Sequence, residues 1–165
     1  MAEERIPGPE ASQLAAPARK LLREIGSGVL CTLSVRKPGW PLGSLVSYAL
    51  SSRGEPLFLL SELSQHTRNL RADGRASLFV QEARARNPQS GGRIAVLGRV
   101  APVPEAELAD AQARYAAVHP EGRSFAGLGD FSFWALEIED VHVVGGFASA
   151  GWLTAAEFAD AGRDA

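Results

Sequence analysis

A short polar stretch near the middle of the chain carries the residues best suited to chemistry. Ser61, Ser64, His66, Thr67 and Arg68 offer hydroxyl groups, an imidazole and a guanidinium close together in sequence. If a helix starts here, its first backbone N–H groups lack partners within the helix and favour an anion. With an arginine beside them, these donors suit a phosphate monoester. The plainer alternative is that Ser64 only caps the helix while His66 and Arg68 face solvent.

The residues around this stretch predict elements that would hold it in place. The apolar run Leu57–Leu60 is short and follows Pro56, which favours a buried strand over a helix. Ser64 stands where a helix N-cap is expected. The predicted order is a strand ending at Ser61, a polar turn, a helix from Gln65 ended by Asp73-Gly74, and a strand over 75–81.

The rest of the chain has the periodicity of an antiparallel β protein with a few helices. In the first predicted strand, Val29, Cys31 and Leu33 alternate with polar residues, the pattern of a half-buried strand in which Cys31 is a buried thiol. The turns are too short for repeated parallel crossovers, so we predict a small antiparallel barrel with helices packed outside it. The predicted strands cover 29–35, 42–51, 57–61, 75–81, 93–103, 131–139 and 141–144, and the predicted helices cover 12–25, 65–70, 104–119 and a short closing segment through 158. Gly26 and Gly28 are predicted to end the first helix, Gly98 to form a bulge, and Thr154 and Glu157 to form a capping box for the last helix.

Composition bounds the class of protein. The chain has 165 residues, which favours a single domain over 1–165, with 1–11 as a flexible tail. The net charge of −2 gives no basic field that would attract nucleic acid. Cys31 is the only cysteine, which excludes an internal disulfide and a cysteine-based zinc site. The polar N-terminus and the lack of a long apolar run predict a cytoplasmic protein with no membrane partner.

The usual catalytic signatures are absent. No phosphate-binding loop or nucleophile elbow is found, and the glycines miss the dinucleotide-binding spacing. His66, His119 and His142 are far apart in sequence, so no metal site is predicted. The residues alone therefore predict an anion cradle, and an enzyme only if a cofactor carries the chemistry.

Several motifs, in order, resemble the flavin-binding split-barrel family related to pyridoxamine 5′-phosphate oxidase, in the branch that includes haem-utilisation proteins. The resemblance covers roughly 21–158. The block H-T-R-N-L after a strand that ends in serine is its most specific mark. The motifs are P-L-G-S-L-V-S-Y at 41–48, L-S-x-L-x-x-H-T-R-N-L at 60–70, R-A-S-L at 75–78, R-I-A-V-L-G-R-V at 93–100 and V-G-G-F at 144–147.

This resemblance implies a mainly β (α+β) fold, a six-stranded antiparallel split β-barrel with peripheral short helices. It also implies a homodimer with FMN at the subunit interface and a small-molecule substrate. Gln81 and either Trp134 or Trp152 would reach the flavin from the partner chain. The residues carried over as the FMN phosphate site are Ser44, Ser47, Ser61, His66, Thr67, Arg68 and Asn69.

Three functions follow from the resemblance as expectations. The first is an FMN-dependent oxidoreductase that passes electrons between a reduced nicotinamide and a small acceptor, with a deazaflavin as an alternative to FMN. The second is a haem-binding protein of the same barrel, and the third is a non-enzymatic interaction module. Two family features are missing, namely the basic pair that oxidases place on the strand over 43–49 and a C-terminal histidine used for haem cleavage.

Overall fold

The computed structural model describes residues 10–83, 86–145 and 149–160. Within these ranges the chain forms eight strands and five α-helices, with a 3-10 turn at Glu105–Glu107. The strands are β1 (Ser27–Leu33), β2 (Pro41–Ser47), β3 (Ala49–Leu50), β4 (Pro56–Ser61), β5 (Arg75–Gln81), β6 (Arg93–Pro102), β7 (Phe131–Val144) and β8 (Ala150–Thr154). The helices are α1 (Ala11–Ile25), α2 (Gln65–Ala72), α3 (Leu108–Val118), α4 (Gly122–Ala126) and α5 (Ala155–Asp160).

All the strands belong to one antiparallel sheet that curls on itself. The order is β2-β1-β5-β6-β7-β4-β3, and β8 adds to β7. β2 and β3 stand at opposite ends of this order, although only Tyr48 separates them in the chain. The Tyr48 N–H donates to the Gly26 carbonyl at 2.9 Å and its hydroxyl donates to the Leu22 carbonyl at 2.7 Å. These bonds draw Tyr48 out of the strand ladder and bend the chain from one edge of the sheet to the other.

The predicted mainly β fold with peripheral helices is confirmed, but the number of six strands that the family resemblance implies is wrong. The expected strand over 42–51 is two strands, because Tyr48 interrupts it. The two expected strands over 131–144 are the single strand β7, because Asp140 pairs with Leu97 and continues the ladder. β8 was not expected, since its short sequence with a central glycine resembles a loop, and α4 lies in a segment predicted to be loop.

The core lies inside the curled sheet and is closed at one end by α1. Leu14, Ala15, Ala18 and Leu22 of this helix are buried against strand residues such as Leu30. Gly26 ends α1 with φ of 69°, as predicted. At Gly98 the β6–β7 register shifts, which confirms the predicted bulge. No helix in the described part of the chain is long and apolar enough to cross a bilayer.

The inward and outward sides of β1 are the reverse of the prediction. Leu30 and Thr32 are buried, whereas Val29 is 36% exposed and Cys31 is only half-buried. Thr32 turns inward because its hydroxyl accepts a hydrogen bond from the buried Asn69 amide at 2.9 Å. The apolar residues Val29, Cys31 and Leu33 therefore lie on the outside of the sheet.

Candidate functional site

The predicted anion cradle lies at the start of α2, which follows the end of β4 and packs on β1. Ser64 occupies the N-cap position, as predicted, with an extended backbone of φ −72° and ψ 144°. Its side chain, however, makes no capping hydrogen bond. The first N–H groups of α2 are therefore not satisfied by Ser64, and the positive end of the helix stays open to a ligand.

Three of the predicted ligand residues lie on the first turn of α2, but their side chains point in different directions. Thr67 is fully buried, and its hydroxyl has no hydrogen-bond partner among the described residues. His66 is half-buried, and burial lowers the pKa of its imidazole, which favours the neutral ring. Arg68 is exposed and makes no salt bridge within the described ranges, unlike Arg71, whose Nε donates to Glu62 at 2.9 Å. The unpaired guanidinium is the feature of this turn that fits an anion.

Ser61 is engaged within the protein. Its hydroxyl donates to the Asp130 carboxylate at 3.0 Å and accepts from the Leu63 N–H at 3.1 Å. The Asp130 carbonyl also accepts from the Glu62 N–H at 2.7 Å, so Asp130 is fixed beside the turn. The Asp130 carboxylate would repel an anionic ligand at this point. It also engages the hydroxyl of Ser61, which the family resemblance assigns to the phosphate site.

Asn69 is fully buried and links α2 to the end of β1. Its amide nitrogen donates to the Thr32 hydroxyl, and its amide oxygen accepts from the Val35 N–H at 3.1 Å and from the Gln65 side chain at 3.0 Å. Both polar atoms of the amide are thus used to position the helix. The structure gives Asn69 an internal role at the base of the turn.

The two serines of β2 lie on opposite sides of the sheet. Ser44 is half-buried and paired with Leu30 on the inner side, whereas Ser47 is exposed and paired with Ser27. Residues three apart in a strand must face opposite ways. One ligand group on one side of β2 therefore cannot contact both hydroxyls.

A second candidate region, which the sequence did not reveal as a site, covers the outer face of the sheet. Residues paired in register form a row across six strands, and we call it the cross-sheet row. Leu45 is 80% exposed, Val29 36% and Trp152 52%, whereas the residues between Val29 and Trp152 are half-buried. Exposed apolar residues on one face of a sheet indicate a covered surface more than scattered single ones do. The row consists of Leu45, Val29, Phe79, Ala95, His142 and Trp152.

His142 is the one side chain in this row of a type that can ligate a metal. Its ring lies 4.8 Å from the Trp152 ring, centroid to centroid. No hydrogen bond or ion pair engages the imidazole within the described ranges, so both ring nitrogens are open to a ligand.

His119, by contrast, contacts the Tyr48 carbonyl through Nε2 at 2.8 Å, and its side chain is only 15% exposed. His119 is therefore engaged within the protein.

The signal that could have revealed the outer face is the presence of apolar residues on both sides of a strand. β5 has Leu78 facing inward and Phe79 facing outward, and β1 has Leu30 and Val29 in the same relation.

Of the residues expected to reach a ligand from the partner chain, Gln81 and Trp152 are exposed. Trp134 is buried, and its Nε1 donates to Ser132 at 2.9 Å. The end of the V-G-G-F motif, over 146–147, lies outside the described residues.

Comparison with known proteins gives one family and several relatives. The family model described as the CREG β-barrel matches residues 9–160. A curated relative is the chloroplastic non-canonical haem oxygenase HOZ of Arabidopsis thaliana, which is 36% identical over 133 residues. That alignment covers 79% of this chain but only 40% of the Arabidopsis protein, so the chain spans less than half of its length.

Solved structures show the same fold. A haem-binding protein from Mycobacterium smegmatis superposes with a TM-score of 0.82 at 28% identity, over 94% of this chain and 62% of that one. An FAD-binding protein from Mesorhizobium loti superposes with a TM-score of 0.62 at 20% identity, over 77% of this chain and 91% of that one. At that identity the second likeness concerns the fold alone.

Proposed function

The chain belongs to the CREG β-barrel family, and we propose that it binds haem on the outer face of its sheet, between the two copies of a homodimer. The observation that carries this proposal is the cross-sheet row, in which His142, whose imidazole makes no hydrogen bond or ion pair among the described residues, packs against the exposed Trp152. Haem needs an apolar surface for its macrocycle and a ligand for its iron. The row provides both within one surface.

The residues of the row fit haem better than they fit a hydrated metal ion. No group of three or more metal-ligating side chains exists among the described residues, so a metal without its own equatorial ligands has little to hold it. A porphyrin brings four nitrogen ligands and asks the protein for only one or two more. In this assignment His142 ligates the iron, and Trp152, Phe79 and Val29 exclude water from the macrocycle. Bound haem supplies a redox-active iron.

The relatives support haem as the ligand. HOZ of Arabidopsis is named a haem oxygenase and the mycobacterial protein a haem-binding protein. Both are substantially longer than this chain, which covers 40% and 62% of their lengths. For that reason the proposal is haem binding, and haem cleavage is not part of it.

We propose that a second copy of the chain packs against the outer face. The cross-sheet row spans six strands, which lie about 4.8 Å apart, and a stretch of that width exceeds one macrocycle. Leu45, at the far end of the row from His142, is 80% exposed in the single chain. A homodimer formed by this face would bury Leu45 and enclose the haem from the other side.

Binding of FMN at the start of α2 is the second candidate, because the exposed Arg68 lacks a counter-ion among the described residues. Arg68 would hold the phosphate at the surface of the helix, and the flavin would supply the electron transfer expected of an oxidoreductase. The Asp130 carboxylate next to Ser61 weakens this candidate. A deazaflavin with a phosphate group would use the same contacts.

The test is a pair of titrations on the purified chain, one with haemin and one with FMN, each followed by gel filtration to remove unbound ligand. We expect a Soret band to stay with the protein in stoichiometric amount and the flavin to wash away. Retention of FMN with loss of haemin would replace the leading proposal by the second candidate. A stable dimer that retains neither would indicate an interaction module.

A further inference from the structure

The loop that joins β1 to β2 is a hydrogen-bonded turn, and we call residues 34–40 the hairpin tip. The Ser34 N–H donates to the Trp40 carbonyl at 2.8 Å, and the Trp40 N–H donates to the Lys37 carbonyl at 3.1 Å. Gly39, the third residue of the turn that starts at Lys37, has φ of 81°, as a type II turn requires. The backbone of the hairpin tip is therefore held in one shape by its own hydrogen bonds.

The hairpin tip exposes two apolar side chains. Trp40 is 58% exposed and Val35 is 44% exposed. The Lys37 Nζ lies 3.6 Å from the centroid of the Trp40 ring, so the turn presents a cation and an aromatic ring together. Tryptophan combines an apolar ring with a polar N–H, which suits a boundary between an apolar and an aqueous phase. These side chains therefore fit a partner that is apolar below a polar surface.

The positive charges of the hairpin tip have no carboxylate partner in the described part of the chain. Arg36 and Lys37 are both exposed, and neither forms an ion pair there. The neighbouring helix α2 packs on β1, and the Val35 N–H donates to the Asn69 side chain of that helix at 3.1 Å. Arg68 of α2 adds a third exposed cation without an ion pair among the described residues.

The carboxylates that flank α2, the helix next to the hairpin tip, are already paired. Glu62 accepts from the Arg71 Nε at 2.9 Å, and Asp73 accepts from the Arg75 Nη2 at 2.6 Å. The whole chain has a net charge of −2, so the unpaired cations form a local positive region and not a general one. A local positive region around an exposed tryptophan matches a surface that is anionic and has an apolar layer beneath it.

We propose that the hairpin tip binds the headgroup layer of a lipid bilayer that contains anionic lipids. Trp40 and Val35 enter the boundary between headgroups and acyl chains, and Arg36 and Lys37 contact the lipid phosphates, with Arg68 beside them. A turn that lies in the headgroup layer needs no long apolar run, so the expectation of no membrane partner does not extend to it. The hairpin tip is separate from the cross-sheet row, and this contact does not depend on haem.

Single-stranded nucleic acid fits the hairpin tip less well than a bilayer does. Proteins that bind single strands stack successive bases on several aromatic side chains, whereas Trp40 is the one aromatic residue of the tip. The aliphatic side chain of Val35 offers no stacking surface for a base but suits acyl chains. These features favour a lipid surface as the partner.

Co-sedimentation of the full chain with two kinds of vesicle tests this proposal. One kind consists of phosphatidylcholine alone, and in the other about one third of the lipid is phosphatidylglycerol. We expect the chain to sediment with the anionic vesicles and not with the neutral ones, and to be released as the salt concentration rises. Each basic residue close to an anionic surface strengthens binding by about fivefold, so Lys37→Glu should weaken it by about 10-fold or more.

Two control variants at the other end of β1 are matched to the test variants. Arg23→Glu makes the same change of charge as Lys37→Glu, and Val118→Ser removes an exposed apolar side chain as Trp40→Ser does. Arg23 lies in the last turn of α1, and the Val118 side chain lies beside Gly26, which precedes β1. We expect neither control to change the affinity for anionic vesicles by more than about twofold.

Quenching of tryptophan fluorescence separates a direct contact from a defect in folding. Anionic vesicles that contain brominated phosphatidylcholine should quench the unchanged chain, because Trp40 reaches the acyl chains. Trp40→Ser should lose this quenching and keep the unfolding transition of the unchanged chain, since its side chain is largely exposed.

Four outcomes would overturn the proposal. The first is equal binding to both kinds of vesicle, or binding to neither. The second is a loss in Arg23→Glu as large as that in Lys37→Glu, because the effect would then come from net charge alone. The third is quenching that persists in Trp40→Ser. The fourth is retention of a single-stranded oligonucleotide by a chain that does not bind the anionic vesicles, which would assign the hairpin tip to nucleic acid instead.

Discussion

The start of α2 and the outer face of the sheet use their side chains in opposite ways. At the start of α2, two of the polar residues that a motif associates with ligand binding are engaged within the protein, as Ser61 is by Asp130 and Asn69 by Thr32. On the outer face, Leu45 and Trp152 are exposed, and the imidazole of His142 makes no hydrogen bond or ion pair among the described residues. We infer from this difference that Ser61 and Asn69 stabilise the fold, and it favours the proposal that the ligand binds on the outer face.

Asn69→Leu has the largest expected effect on stability, and it tests whether the polar residues of α2 stabilise the fold. It leaves the buried Thr32 hydroxyl and the Val35 N–H without partners, and each such group costs about 1–3 kcal/mol. We expect the free energy of unfolding, measured by urea denaturation, to fall by about 2–5 kcal/mol. In a double-mutant cycle with Thr32→Val, the two effects should be clearly non-additive. Additive effects would mean that the contact between Asn69 and Thr32 does not stabilise the fold.

Leu45→Asp tests the proposed dimer contact on the outer face. A carboxylate at the exposed end of the cross-sheet row would be buried without a partner in the proposed dimer. We expect the dimer dissociation constant, measured by sedimentation, to rise by about 100-fold or more, which corresponds to roughly 2.7 kcal/mol. Leu63→Asp is the matched control, because Leu63 is 72% exposed but lies before α2 and off the row. An equal effect of both substitutions would refute the dimer face.

Arg68→Ala separates the two candidate ligands. The variant removes the unpaired cation at the start of α2 and changes nothing on the outer face. We expect haemin affinity to stay within about twofold. A flavin whose phosphate is held at this turn would instead lose about tenfold or more in affinity. Fluorescence titration with FMN and absorbance titration with haemin measure the two effects on the same preparations.

His66 gives the smallest expected effect, on the pH dependence of stability. Burial lowers the pKa of its imidazole in the folded protein from the ordinary 6.5, so the unfolded chain takes up the proton first. The free energy of unfolding should therefore fall as the pH drops below about 6.5, and fall less steeply in His66→Gln. Denaturation curves at pH 7.5 and 5.5 check this. Equal slopes in the two proteins would show that burial of His66 is not coupled to its protonation.

Local patterns in the sequence predicted much of the fold. Gly26 ended α1, Gly98 marked the bulge, and Thr154 and Glu157 formed the predicted capping box, with the Thr154 N–H donating to the Glu157 carboxylate at 2.8 Å. The bend at Tyr48 was not predictable, because it depends on bonds to Gly26 and Leu22, which are distant in sequence.

The candidate site was harder to predict, because alternation alone does not show which side of a strand is inside. The Thr32 hydroxyl lies inside because it accepts a hydrogen bond from the buried Asn69 amide of α2. The alternating residues of β1, such as Val29, therefore face outward. The cross-sheet row likewise comes from six strands whose pairing is set by tertiary structure. The sequence did place the H-T-R block at the start of a helix, but it did not show that Thr67 is buried while Arg68 is exposed.

A haemin titration of the unchanged chain, His142→Ala and His66→Ala tests the central claim most directly. If His142 ligates the iron, His142→Ala should lose the Soret band of the coordinated haem and bind haemin at least about tenfold more weakly, a change of 1.4 kcal/mol or more. His66→Ala should match the unchanged chain. Retention of the full band and affinity in His142→Ala, or their loss in His66→Ala alone, would contradict the assignment of haem to the outer face.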